Sequence, residues 1–458
     1  MAIADDNAFE LPKLRSSFGF ENDTEYLEND NVAVSHAANL GTIFLQSEFF
    51  DVKFCPYQPL DASPVFAAVS KKHVVICRLN QTSNDTTPCE VLSVIRDDDV
   101  EASACCCTWT KDPVTGAPYL CIGGVDAKVK IYDILSGKLY RCFTGHGGDV
   151  NDLWTLPDLP TEPITTPIRV HYPHFSTSAV HSGIIDCVAF YGDCILSRAC
   201  HDNVIALWRI EGFSSKNPPP PQSIAPIAQT TVPTNYDEAS RLTRSAFVPT
   251  ISPQCPSQYT MLLQFHTPNC GPQFFMRFKL HFVPGQHPVL AFCNAGGNVF
   301  FWDLERLMAY REFMEALKDP ARDKSKPLPH PSWMRPVTRR KADGNKSRHG
   351  AVDKETSVAG QSDGARSAAT EEIGEYNAET LETWASRYSQ EDPHEPLKAH
   401  KTESSSANFV GRQAAWSPGG EWCVVVGSSN TALILQRWAT KPAPKTSGTA
   451  HNTPNPDH

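Results

Sequence analysis

Four groups of residues have types and spacings that bear on chemistry. His171 and His174, with His181 close behind, suggest a metal site. Residues three apart on an extended strand point to opposite faces, so these two histidines are not expected to share an ion. The 15 cysteines form no C-x-x-C pair, and Cys77, Cys187, Cys194 and Cys423 stand among apolar strand residues, where they read as small buried hydrophobes. Arg339, Arg340 and Lys341, with Arg335, Lys346 and Arg348 nearby, suit a nuclear localisation signal, a weak nucleic-acid contact or a solvated linker. Finally, Asp126 precedes Tyr132 by the same interval that separates Asp202 from Trp208. A turn carboxylate at a fixed distance from a strand aromatic is hydrogen-bonding chemistry, and its role is to tie strands together. The sequence has no Gly-rich phosphate loop, no nucleophile elbow and no pair of carboxylates in a convincing setting. No catalytic activity, metal or cofactor is therefore expected.

The elements that carry these residues must come from 458 residues, of which 40% are hydrophobic, with a net charge of -10. No apolar run approaches the ~20 residues of a membrane helix. The acidic opening MAIADDNAFELPKLRSSFGFENDTEYLENDN lacks the charged and apolar regions of a secretory signal, so an intracellular protein with reduced thiols is expected. The acidic balance argues against general or specific DNA binding, which needs a basic surface.

Residues 1–40 are polar and aperiodic and read as disordered. From Gly41 short apolar runs separated by Pro, Ser, Asn and Asp follow one another: GTIFLQSEFFDVKF, PVFAAVS, HVVICRL and CEVLSVI, then ACCCTWT, PYLCIGG, VKIYD and LYRCFTGHG. After Gly145 and His146 the pattern breaks in TLPDLPTEPITTP. It resumes over Pro167–Trp208, is interrupted by a Pro-rich loop over 213–257, and continues through QYTMLLQFHT, FFMRFKLHF, PVLAFCN and NVFFWDL, which read together as one four-stranded unit. LERLMAYREFMEALKD has the apolar spacing of a helix. Residues 320–406 read as a disordered insertion with a short helix over 378–388, residues 407–438 as a last unit and 439–458 as a disordered tail.

Units of four short strands with an Asp-to-aromatic interval and a Gly-His resemble WD repeats, so the chain is expected to be an all-β, WD-repeat β-propeller. In that family an Asp, His, Ser and Trp form a buried hydrogen-bonded chain. His181, Ser197, Asp202 and Trp208 match it, with Asp126, His146 and Trp302 as corresponding positions in other blades.

HYPHFST with IIDCVAFYGDCILS, FFMRF with FFWDLE, CCCTWT, FTGHGGDVNDL and GRQAAW occur in the order in which they stand in the embryonic ectoderm development / extra sex combs family. The resemblance covers most of 45–320 and 395–440. It implies a noncatalytic, nuclear WD-repeat subunit of Polycomb repressive complex 2, bound to the enhancer-of-zeste methyltransferase and suppressor-of-zeste subunits. It also implies a histone H3 tail as ligand, read at trimethyl-lysine by an aromatic cage. Phe50, Phe274 and Phe275 match cage walls, Arg412 matches a channel arginine, and Cys105 stands where the family has tyrosine. Without the resemblance, the texture fits a generic WD-repeat adaptor such as a ubiquitin-ligase substrate receptor. Family members have seven blades. Between the GHG strand and HYPHFST this chain lacks roughly eighty residues of them, about two blades at the WD period. An incomplete ring, such as a skipped exon leaves, is therefore expected, with about five blades and unpaired faces.

Overall fold

The computed structural model describes residues 6–19, 48–80, 88–99, 101–112, 114–153, 173–226, 243–248, 257–271, 273–326, 328–337, 376–405 and 409–438. The described residues form five four-stranded antiparallel sheets and a two-stranded ribbon. Blade 1 consists of Asp51–Phe54, Val65–Val69, His73–Leu79 and Cys89–Arg96. Blade 2 consists of Ala104–Lys111, Pro118–Gly124, Lys128–Asp133 and Lys138–Thr144. Blade 3 takes Ile185–Tyr191, Cys194–Ala199, Val204–Ile210 and, across the Pro-rich loop, Tyr259–His266. Blade 4 takes Lys279–His281, Val289–Cys293, Asn298–Asp303 and Lys401–Ser404. Blade 5 takes Gly411–Trp416, Trp422–Gly427 and Thr431–Gln436, and its fourth strand is Lys13–Gly19 from the other end of the chain.

The first strands of blades 1, 2, 4 and 5 touch their neighbours in sequence around the axis. Second and third strands alternate inward and outward side chains, and neighbouring blades bury both faces, so they read as continuous apolar runs. Trp422–Gly427 is buried along its whole length. Among the described residues four clusters lie between blades, with Val52, Phe66, Val424 and Ile434 filling the seam of blades 1 and 5.

Three expectations need correcting. The N-terminal region taken as disordered through residue 40 contains the closing strand, with Lys13 opposite Gln436 and Gly19 opposite Thr431. Phe9, Leu11 and Phe18 are buried, and the Arg306 guanidinium donates to the Phe9 carbonyl. An outermost strand buries only one residue in several, here Phe18 alone, so KLRSSFG shows no apolar period.

The insertion taken as disordered over 320–406 is anchored at both ends. Lys401–Ser404 completes blade 4 with Phe300 opposite Thr402, and it is again polar because it is outermost. A helix over Leu304–Lys318, capped by Asp303, packs on a second helix over Ala378–Tyr388, with Phe313 against Trp384 and Tyr310 against Tyr388. Residues 338–375, which include the basic cluster from Arg339 to Arg348, lie outside the described residues, as do 20–47 and 439–458.

The third correction concerns QYTMLLQFHT, which belongs to blade 3 rather than to the following blade. Val204 faces His266 and Ile210 faces Tyr259. A long insertion separates third from fourth strand here, so order along the chain misassigns it. Phe175–Ser176, expected within the blade, instead pairs with Arg244–Ser245 as a separate ribbon.

Among the described residues no four-stranded sheet lies between Thr144 and Ile185. The consequence is visible on both flanks. Lys138–Thr144 is exposed throughout, and Ile185, Val188 and Phe190 of blade 3 are exposed although their neighbours Leu196 and Ile205 are fully buried.

Candidate functional site: one mouth of the channel

Phe50, Cys105, the Phe274–Phe275 pair and Arg412 come from four different blades. Each lies at or just before the start of its blade's first strand. Strands that line the axis in a common direction bring these starts to one mouth of the channel. Phe50 packs against Cys105, Cys106 and Val150, with Val129 and Leu153 alongside. Phe274 is 43% exposed, with its ring edge-on to His201 at 6.2 Å. Phe275 holds a positive φ of 56°, and the Arg277 guanidinium sits 5.6 Å from its ring centroid.

Arg412 joins these segments. Its Nε donates to Glu48 Oε2 at 2.9 Å, its Nη2 forms an ion pair with the same oxygen at 2.8 Å, and its Nη1 donates to the Phe274 carbonyl at 2.8 Å. Its own carbonyl accepts from the Arg277 N–H at 2.8 Å. Glu48 carries no sequence signal and was not anticipated.

Cys105 offers no open wall. A β-bulge between Ala104 and Cys106 turns both thiols towards the Val150 carbonyl, each at 3.2 Å. A hydrogen bond from Cys106 is the largest influence on Cys105 and, with the Arg277 charge, holds its thiol below the ordinary range despite burial. The covering segment is Asp149–Leu153 of FTGHGGDVNDL, which is not part of a strand. Val150 N–H donates to the Gly124 carbonyl, and Asn151 gives its carbonyl to Arg277 Nη2 at 2.5 Å. Val150 fits because residue 123 is glycine, where a Cβ would stand 2.5 Å from its Cγ1.

Deeper in the channel, buried Asp51 accepts from the N–H groups of Val52 and Cys107 at 2.8 and 2.9 Å, which ties blade 1 to blade 2. Arg198, fully buried, pairs with Asp186 at 2.6 Å and donates to the Met276 carbonyl, which ties blade 3 to the segment before blade 4. Burial lowers Lys279, with Lys53 adding to the effect. Burial also pulls on Lys53, but Asp51 and other neighbours leave it raised.

The blade residues divide. His181 Nδ1 lies 2.7 Å from Asp202 Oδ2, and its Nε2 lies 2.7 Å from Ser197 Oγ, which accepts from Trp208 Nε1 at 2.9 Å. Burial raises the Asp202 carboxyl, but hydrogen bonds from Ser182 and His181 leave it below its usual value. The Ser–His–Asp order is that of a hydrolase, yet Ser197 is 1% exposed and its oxygen is engaged by Trp208, so no substrate carbonyl reaches it. In blade 2 Asp126 caps its turn at Lys128 N and pairs with Lys130 at 3.2 Å. In blade 4 Trp302 donates to the Leu397 carbonyl at 3.2 Å. His146 is exposed in the loop leaving blade 2. His174 lies 3.4 Å from the Pro221 carbonyl, and His171 is outside the described residues. Among the described residues no group of three or more His, Cys, Asp or Glu could hold a metal ion.

No family model matches the chain. It is 38% identical to Polycomb protein EED of Chaetomium thermophilum, over 96% of this chain and 98% of that protein. The alignment runs over 575 positions, so the relative carries more than a hundred residues without a counterpart in these 458. A chain of the crystal structure of the C. thermophilum polycomb repressive complex 2 superposes with a TM-score of 0.73 at 39% identity, covering 94% of this chain and 98% of that one. A structure of that complex with H3K27me3 and H3K27M contains a chain that gives the same TM-score and identity, covering 95% and 99%.

Proposed function

The chain belongs to the EED family of Polycomb proteins, and from that premise we propose that it is a noncatalytic propeller scaffold of a nuclear polycomb repressive complex 2 that reads trimethyl-lysine on the histone H3 tail. What carries the reading is the match over 95% of the chain to a chain of the complex solved with H3K27me3. The mouth of the channel has suitable chemistry. A trimethylammonium has no N–H to donate, so it is recognised by ring faces, each worth about 0.5–2 kcal/mol according to desolvation. Phe50, Phe274 and Phe275 supply phenyl faces, and the covered Cys105 supplies none. The commitment of Ser197 to Trp208 supports a scaffold rather than a hydrolase.

The enhancer-of-zeste methyltransferase and suppressor-of-zeste subunits are the partners this reading names, with product binding at the mouth biasing the methyltransferase towards its active form. Affinity purification of the full chain is expected to recover both subunits, and recovery of a cullin adaptor in their place overturns the assignment. Titration with an H3K27me3 peptide and with the same peptide unmodified is expected to show tighter binding of the trimethylated one, and equal affinities refute the reader role.

A further inference from the structure

We propose that Glu48 and Arg412 form a clamp that positions the ring-bearing segments of this mouth, and that Arg412 acts on those segments rather than on the peptide. The inference rests on the methyl-lysine reading above. Phe50 belongs to blade 1 and the Phe274–Phe275 pair to the entrance of blade 4, and blade 5 stands between them. Among the described residues no backbone ladder joins the two segments directly. Arg412, on the first strand of blade 5, spans the interval: Glu48, two residues before Phe50, takes its Nε and Nη2, and the Phe274 carbonyl takes its Nη1, with Gln273 Oε1 at 3.4 Å.

All three guanidinium nitrogens are thus engaged by the protein, and the charge is met by a carboxylate on the same molecule. A planar, forked cation is suited to such a task, since its donors are fixed relative to one another and two contacts set the angle of a third. An arginine committed in this way has little left to offer an incoming peptide.

Phe275 is the residue that most needs the clamp. An aromatic side chain at positive φ occupies a sparsely populated region, and such a conformation persists only where its surroundings over-determine it. Here the Phe274 carbonyl is held by the Arg412 side chain, and two residues later the Arg277 N–H is held by the Arg412 carbonyl. One residue therefore pins the backbone on both sides of Phe275.

The test is a peptide titration by fluorescence anisotropy with the full chain, using an H3K27me3 peptide and the same peptide unmodified. Glu48→Gln keeps the shape and removes the charge. Arg412→Lys keeps a charge but cannot reach Glu48 and the Phe274 carbonyl together. Each is expected to weaken the trimethylated peptide by roughly three- to tenfold, the scale of a partly screened charge-assisted contact, while leaving the weak binding of the unmodified peptide unchanged. The double variant is expected to be no worse than the more severe single one, because either change opens the same clamp. Equal weakening of both peptides by Arg412→Lys assigns the guanidinium to the peptide and overturns the proposal, as does an unaltered trimethyl affinity in Glu48→Gln or a loss that multiplies in the double variant. If the unsubstituted chain binds both peptides equally, the methyl-lysine reading itself fails, and that result is separate from all of these.

Discussion

The seam between blades 1 and 5 and the open flanks of blades 2 and 3 are built from similar residues and have opposite fates. Trp422–Gly427 and Val65–Val69 meet across the seam and are almost completely buried. Ile185–Tyr191, with Ile185, Val188 and Phe190 on one side, is as apolar as many first strands, yet Phe190 is 72% exposed. On the facing flank Leu139, Tyr140 and Phe143 are exposed as well. A propeller strand is therefore hydrophobic because of the blade beside it, and its stability contribution disappears with that neighbour. Contiguous exposed apolar surface of this kind is unusual for a monomer.

The sharpest way to break the comparison is to truncate both regions and measure unfolding in denaturant. Leu435, fully buried in blade 5 beside the closing strand, is the strong arm. Leu435→Ala is expected to cost about 2–5 kcal/mol, since the lost transfer energy adds to a cavity that packed sheets cannot collapse around.

An enclosed blade also leaves a pH signature. His73 in blade 1 is held down to about 4, by burial first and then by the Arg96 and Lys72 charges. The unfolded chain takes up the proton at ~6.5, before the folded one does, so stability is full above that pH and falls as pH drops from ~6.5 towards 4. A loss of roughly 2 kcal/mol between pH 7 and 4.5 is expected, and His73→Gln should flatten this part of the profile. An unchanged profile in the variant means that His73 is hydrated in solution.

Blade 3 borders the opening, so its internal hydrogen bonds carry more of its cohesion. Ser197→Ala removes the atom that joins Trp208 to His181, and it leaves two buried polar groups without their partner. The expected cost is about 1–2 kcal/mol by thermal or denaturant unfolding. A neutral result means that water replaces the hydroxyl, which places blade 3 closer to solvent than its buried Leu196 and Ile205 indicate.

Legibility in the sequence followed burial. Blades 1 and 2 could be read strand by strand, because their strands follow one another with short turns and strong apolar runs. The polar outer strands could not be found: Lys13–Gly19 and Lys401–Ser404 have little apolar signal, and both arrive from distant parts of the chain. Tyr259–His266 was visible as a strand but not as a member of blade 3, since its partner lies beyond the Pro-rich loop. At the mouth, the aromatic positions were legible only through family resemblance. Glu48 was not legible at all, because its role exists only once blades 1, 4 and 5 stand together.

The smallest expected effect decides the most about the ring. In a closed propeller a phenylalanine on this face of blade 3 packs against the preceding blade, and truncating it costs about 3–5 kcal/mol. On an open flank the same side chain is solvated in both states, and Phe190→Ala is expected to change stability by no more than about 0.5 kcal/mol. Replacing Phe190 and Phe143 with serine should also lower the fluorescence of a hydrophobic dye bound to the native protein, because these two rings stand on the two faces that border the opening. A large destabilisation in Phe190→Ala contradicts the open flank: something in solution then covers blade 3, and its cost relative to Leu435→Ala measures how completely.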